Sequence, residues 1–157
     1  MVRRSYVRGA QLAFALAMLA GLGGIGTAKG IGDLDPKAIK ITIPADIQWR
    51  KTATSETATL YGDPSKPGYY VVLQKWLPHN NSRPHFHPND RYIQVLSGTW
   101  WVQTGAKYDP AGFKPVPAGS FVIHTATEIH YDGARDEPCT LLISGQGPDT
   151  SVQAEEK

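Results

Sequence analysis

The stretch Arg83 to Gly98 reads "RPHFHPNDRYIQVLSG". His85 and His87 stand one residue apart between Pro84 and Pro88, and an apolar run follows, ending at Ser97-Gly98. Side chains alternate along an extended chain, so a His-x-His pair on a strand turns both imidazoles to the same side. Two near neighbours can then grip one metal ion. The stretch leaves open what completes such a site, and why a cation, Arg91, stands just beyond it.

The runs on either side set the fold class. "TATLY" stops at Gly62-Asp63-Pro64, "YYVVLQKW" at Pro78-His79-Asn80-Asn81, "RYIQVL" at Ser97-Gly98 and "TWWVQT" at Gly105. "SFVIH" follows Pro117-Ala118-Gly119, and "CTLLIS" stops at Gly145-Gln146-Gly147-Pro148. Short strands rich in Val, Ile, Tyr and Trp, separated by Gly/Pro turns, predict an all-β sandwich or barrel. No amphipathic helix pattern, repeat or low-complexity tract interrupts them. Residues 57–147 read as this barrel, and residues 29–56 as a lead-in with a short strand at "AIKITI". Residues 148–157 read as a C-terminal tail whose end, "SVQAEEK", is frayed.

The amino end follows a different logic. "MVRRSYVRGA" is basic, "QLAFALAMLAGLGGIG" is apolar, and Gly26 to Ala28 supplies small residues. Residues 1–28 read as a cleaved export signal, too short and glycine-rich in its apolar part for a stable membrane anchor. "RRSYVR" resembles a twin-arginine signal, although Val2 stands where that pattern has Ser or Thr. An ordinary secretory signal is the alternative. The protein is thus expected to be exported, into a bacterial periplasm or beyond. The signal contains Arg3, Arg4 and Arg8 and no acid, so the mature chain keeps 13 basic residues against 14 acids, a net −1. The formal +2 of the whole chain belongs to the signal. Without a Lys/Arg stripe, nucleic acid is excluded as an expected partner. The single cysteine, Cys139, lies in an apolar run and reads as a buried inert thiol.

All five histidines fall between residues 79 and 130: His79, His85, His87, His124 and His130. Here the chain resembles the cupin superfamily. The first cupin motif runs Gly, five residues, His-x-His, three or four residues, Glu, six residues, Gly. This sequence has His79, five residues, His85-Phe86-His87, three residues, Arg91, six residues, Gly98. The second motif runs Gly, five residues, Pro-x-Gly, two residues, His, three residues, Asn. This sequence has Gly119, five residues, Thr125-Ala126-Thr127, two residues, His130, three residues, Ala134. The resemblance covers residues 57–146 and implies a single double-stranded β-helix, or jelly-roll, barrel. It carries His85, His87 and His130 over as metal ligands. The motif carboxylate does not carry over. Three neutral imidazoles still suit one divalent ion, Fe, Mn, Zn or Ni, with open positions.

Arg91 has two readings. If the strand continues regularly from His87, Arg91 points inward, and needs an anion beside it: Asp90, Glu128 or the substrate. If a bulge at Pro88-Asn89 shifts the strand by one residue, Asp90 approaches the metal and Arg91 lies at the rim. Gln94 is a weaker candidate for a fourth ligand, since alternation sends it away. His124 reads as pocket wall or core rather than ligand, and His79 as surface. Trp100 and Trp101 face opposite ways, and one of them should fill the barrel. Tyr92, Phe86 and Phe121 read as core aromatics.

Two functions follow as expectations. The first is a metal-dependent, dioxygenase-like oxidoreductase for a small anionic organic substrate. Arg91 would hold an oxyanion in it, and His124, Tyr92 or Glu128 would move a proton. The second is a non-catalytic module that binds or senses a small molecule or a metal. A homodimer without a stable membrane anchor is expected in either case.

Overall fold

The computed structural model describes residues 34–157. The export signal expected at residues 1–28 lies outside the described residues. The chain divides into two compact units, Met1–Lys40 and Ile41–Lys157. In the described part of the first, Ala38 and Ile39 both donate their N–H to the Asp35 carbonyl at 3.0 Å. The strand expected at "AIKITI" does not form. Its isoleucines Ile39, Ile41 and Ile43 stay exposed, and Pro44 starts a 3-10 turn, Pro44–Asp46.

The second unit holds eleven strands: β1 (Arg50–Lys51), β2 (Ser55–Tyr61), β3 (Gly68–Trp76), β4 (His85–Phe86), β5 (Arg91–Ser97), β6 (Thr99–Thr104), β7 (Lys114–Pro117), β8 (Phe121–His124), β9 (His130–Gly133), β10 (Cys139–Gly147) and β11 (Val152–Gln153). They form a six-stranded sheet, β1-β2-β3-β10-β5-β8, and a five-stranded sheet, β11-β4-β9-β6-β7. The pairings are antiparallel. The six apolar runs read from the sequence are β2, β3, β5, β6, β8 and β10, and the all-β expectation holds. The strands that the sequence hides, β4, β7, β9 and β11, are no more than four residues long.

The core lies between the sheets. Ile93 and Val95 of β5, Leu141 and Ile143 of β10 and Tyr70 of β3 meet Trp100 of β6. Alternation sends the intervening residues outward, so Tyr92 and Phe121 are exposed and are not the core aromatics expected. Trp100 fills the barrel, whereas Trp101 lies under the Arg135 guanidinium, whose carbon is 4.1 Å from the ring centroid. Cys139 is buried and unpaired, and burial pushes its thiol up to about 12.

The C-terminal residues are not frayed. β11 pairs with β4 in the register Val152 to Phe86 and Gln153 to His85. Ala154 donates its N–H to the Pro84 carbonyl at 2.9 Å, and Arg83 forms an ion pair with Glu155. A short polar segment has little propensity of its own, but an unpaired strand edge offers it a ladder of backbone partners.

The motif positions explain themselves in the backbone. Gly98 and Gly119 have φ of +70° and +88°. A Cβ on Gly98 would also lie 2.3 Å from the Pro138 carbonyl oxygen. Where this chain lacks the other two motif glycines, His79 and Thr127 take φ of +60° and +65°. They are the non-glycine residues with positive φ among the described residues. The turns have kept their left-handed shape without the residue that adopts it freely.

Candidate metal centre

β4 and β9 are neighbours with His85 directly opposite His130. Cross-strand partners place their side chains about 5 Å apart, and the two ring centroids are 4.6 Å apart. His87 follows two residues after His85 and falls on the same side, 5.0 Å from His85 and 5.4 Å from His130, centroid to centroid. One nitrogen from each of the three rings lies within 4.8 Å of the others, and all three residues are buried.

The second nitrogen of each ring is anchored. His85 Nδ1–H donates to the Arg83 carbonyl at 2.8 Å, and His130 Nδ1–H to the Glu128 carbonyl at 3.0 Å. His87 Nδ1–H donates to the Thr150 carbonyl at 2.8 Å, with Asp149 Oδ1 3.1 Å away. A carbonyl accepts only, so each Nδ1 carries the proton and each Nε2 keeps its lone pair. Metal-ligating histidines are oriented by this kind of contact. Burial lowers the His85 imidazole and lowers His130 to about 4, so both are neutral at physiological pH. His130 Nε2 is buried with no hydrogen-bond partner. Three converging imidazole nitrogens, one of them orphaned, fit a divalent cation.

Arg91 faces this centre. Its Nη1 donates to His87 Nε2 at 2.5 Å. The inward reading is therefore the observed one, but by another route. The chain bends at Pro88-Asn89 and passes from the five-stranded to the six-stranded sheet, and β5 then turns Arg91 inward beside Ile93 and Val95. Asp90 is not among the clustered ligand atoms. It is exposed, and its Oδ1 accepts from Ala126 N–H at 2.7 Å, tying this loop to the turn before His130. Thr127 N–H adds a bond to the His87 carbonyl at 2.8 Å.

The anion beside Arg91 is neither Asp90 nor Glu128. Asp149 Oδ2 lies 3.8 Å from Arg91 Nε, with both side chains only 14% exposed. Burial would raise its carboxyl, but the His87 N–H and the Arg91 charge hold it below the usual range. The buried Tyr70 hydroxyl neighbours both groups, and burial pushes it up.

The remaining candidates scatter. Tyr92 is 43% exposed on the outer face of β5. Glu128 is exposed and gives the site only its carbonyl. His124 is buried, its ring centroid 3.7 Å from His130 and 5.3 Å from Trp100. Burial lowers it to about 3, with His130 and Arg91 acting in the same direction. It is a core histidine behind His130. His79 is on the surface, 3.9 Å from Asp136.

Sequence reasoning missed the acid beneath the cluster. Asp132 is buried, and its Oδ2 accepts from Trp76 Nε1 at 3.0 Å and Trp100 Nε1 at 2.9 Å. The Ser82 hydroxyl donates to Oδ1 at 3.2 Å. Burial would raise this carboxyl; the surrounding histidines and the Trp100 N–H reverse that and hold it low. Its signal was present, since Asp132 is two residues past His130 and shares its face. Asp149 gave no such signal.

Two cavities meet at Arg91 and Gln74. One, of about 320 Å³, contains His85, His87 and Asp132 in its wall. The other, of about 550 Å³, contains Arg50, Thr57, Thr59 and Asp149.

No protein-family model and no curated protein sequence matches the chain. Solved structures do resemble it. The polyketide cyclase RemF from Streptomyces resistomycificus aligns with a TM-score of 0.63 at 16% identity, over 76% of this chain and 87% of that one. A double-stranded β-helix protein from Klebsiella pneumoniae gives 0.57 at 16%, over 75% and 99%. The DMSP lyase DddQ from Ruegeria pomeroyi gives 0.56 at 17%, over 72% of this chain but only 64% of the lyase. At such identities the likeness is one of fold. The barrel has the double-stranded β-helix fold, with three buried histidines gathered at one point between its sheets.

Proposed function

We propose that His85, His87 and His130 hold one divalent metal ion, and that the protein is a metal-dependent enzyme acting on a small anionic organic substrate. The observation that carries this reading is the triple anchoring of Nδ1 on backbone carbonyls, which leaves three Nε2 lone pairs converging. A bound ion of this kind supplies Lewis acidity and a template for substrate and dioxygen. The reaction class we favour is a dioxygenase-like oxidation.

The chain's own residues then divide the work. Arg91 holds the substrate oxyanion, because a guanidinium offers several donors and stays charged. One lone pair cannot serve both a metal and a guanidinium, so a His87 Nε2 that held the ion would have to release Arg91. Arg91 has room to turn into the cavity on its other side. Asp149 and Tyr70 hold the charge of Arg91 in place.

One observation favours a second reading, a binding or sensing module without turnover. Tyr92 and Glu128 point away from the centre and His124 is walled off behind His130, which removes the expected proton-transfer groups. Elemental analysis of the purified protein, followed by oxygen uptake with small acids, thiols and diketones, separates the two. One redox metal per chain with substrate-dependent uptake supports the enzyme, and stoichiometric metal with no turnover of any acid supports the module. His85→Ala, His87→Ala and His130→Ala should each empty the site, while His79→Ala leaves it filled. If the triple of single variants retains metal, the reading fails.

We also propose that the protein is exported and begins near Lys29. Amino-terminal sequencing of exported protein tests this, and Arg3→Lys with Arg4→Lys blocks export only on the twin-arginine route.

A further inference from the structure

We infer that the cavity on the far side of Arg91 binds the hydroxylated chain of the substrate, which makes the substrate class a polyhydroxylated carboxylic acid. This rests on the metal-and-arginine reading above and adds the identity of the organic part.

The cavity wall lies on the inner face of the six-stranded sheet. Arg50 is opposite Thr57, Thr57 opposite Gln74, and Thr59 opposite Val72. Adjacent strands lie about 4.8 Å apart, so the row from Gln74 to Arg50 spans roughly 10 Å. A row of that length accommodates the hydroxylated carbons of a six-carbon acid, and Arg91, whose side chain borders the same cavity, takes the carboxylate. Arg91 and Gln74 border both cavities, so a molecule anchored at the histidines extends naturally into this one.

The chemistry of the wall selects the guest. Thr57, Thr59 and Gln74 make no side-chain hydrogen bond with another described residue, although Thr57 and Gln74 are half-buried. The acids are already engaged. Asp63 accepts from the Ser65 hydroxyl at 2.7 Å and pairs with Lys66 at 3.0 Å, and Asp149 faces His87 and Arg91. Arg50 has no carboxylate partner among the described residues. What the cavity offers is therefore two hydroxyls, an amide and a guanidinium, with Val72 and Pro64 as its apolar wall. An apolar acid entering here would displace water from these groups and leave them unpaired. A polyhydroxylated acid replaces each lost water with a hydroxyl. Sites lined to hydrogen-bond a hydroxyl reject analogues that lack it.

The test is a matched pair on the metal-loaded full-length protein: D-galacturonate against cyclohexanecarboxylate, ring acids of similar size with and without hydroxyls, by isothermal calorimetry. Galacturonate should bind at least tenfold more tightly. Thr57→Val with Gln74→Leu, both close in volume to the originals, should bring the two affinities to within about twofold at unchanged metal content. Arg50→Gln should weaken galacturonate alone. Equal or tighter binding of the apolar acid by the unaltered protein overturns the inference, as does a preference that survives the double substitution. If metal is bound and neither acid binds, the anion role of Arg91 and this inference fall together. A bound apolar acid with no preference removes only the inference.

Discussion

On one side of the three histidines, His130 leans on His124, and His124 leans on Trp100. Asp132 closes that side, holding two indole N–H groups and a serine hydroxyl. On the other side, His87 meets Arg91 and Asp149 beside the larger cavity, and the smaller cavity runs from Arg91 back to Asp132. The first flank is buried, and its carboxylate and indoles are satisfied within the protein, while His124 Nδ1 and His130 Nε2 have no hydrogen-bond partner. The second keeps a charged pair at the edge of open space. A ligand set needs both: one wall that fixes the geometry of the ion, and one that can change partners when a guest arrives.

The largest effect should come from the fixed flank. Asp132→Ala leaves two indole donors and a hydroxyl unpaired in the core and should cost about 3–5 kcal/mol. Chemical denaturation measures it, and a loss below about 1 kcal/mol would mean that this flank is not the rigid one. Arg91→Gln tests the open flank. With its side chain 14% exposed, losing the guanidinium should weaken binding of a small carboxylate by roughly 2–5 kcal/mol. Metal content should not fall, because the variant frees His87 Nε2. A variant that loses metal but keeps the anion would assign Arg91 to the fixed wall instead.

Acid should act on the fixed flank first. His124 and His130 are lowered by burial to about 3 and about 4, below the ordinary value of 6.5. Above pH 6.5 both states hold these rings neutral. As pH falls below it the unfolded chain takes up protons that the folded one refuses, so stability drops, by about 1.4 kcal/mol per unit for each ring. Asp132, held low, adds its loss only at lower pH still. A stability profile that is flat from pH 7 to pH 5 contradicts this. The smallest effect belongs to the turn that joins the flanks. Thr127 is β-branched at φ +65°, and Thr127→Gly should stabilise by about 1 kcal/mol, less the entropy that glycine loses. His79→Gly, at an exposed turn, should give less.

The histidine cluster, which lies on strong local pattern, was legible in the sequence. His85, His87 and His130 follow from alternation and motif register, and the six long runs follow from composition. What stayed hidden depends on long-range pairing. β4, β9 and β11 are too short to show a period, and "SVQAEEK" looks like a free end until its edge partner is known. Asp149 follows Gly147-Pro148 in what reads as a tail, so nothing local links it to an arginine 58 positions earlier. Tyr92 and Glu128 were misplaced because the motif gives ligand positions but not which face a neighbouring side chain takes. Of the two readings of Arg91, the structure has the inward side chain of one and the irregular backbone of the other, since the bend at Pro88-Asn89 changes sheets and still restores the inward face.

The carbonyl that orients His87 belongs to Thr150, and the strand that borders His85 is β11, Val152–Gln153. A chain emerges from the ribosome from its amino end. Every other part of the barrel, the two remaining carbonyl anchors included, is therefore exposed before these residues are. His85 and His87 must wait through more than sixty residues of synthesis for the segment that sets their tautomer and edge. Until residue 153 has left the exit tunnel, His87 lacks its carbonyl anchor and β4 lacks one of its two neighbouring strands. On the proposed reading, selection of the metal is thus placed in time as well as in space: it belongs to the finished domain, in whichever compartment that domain closes.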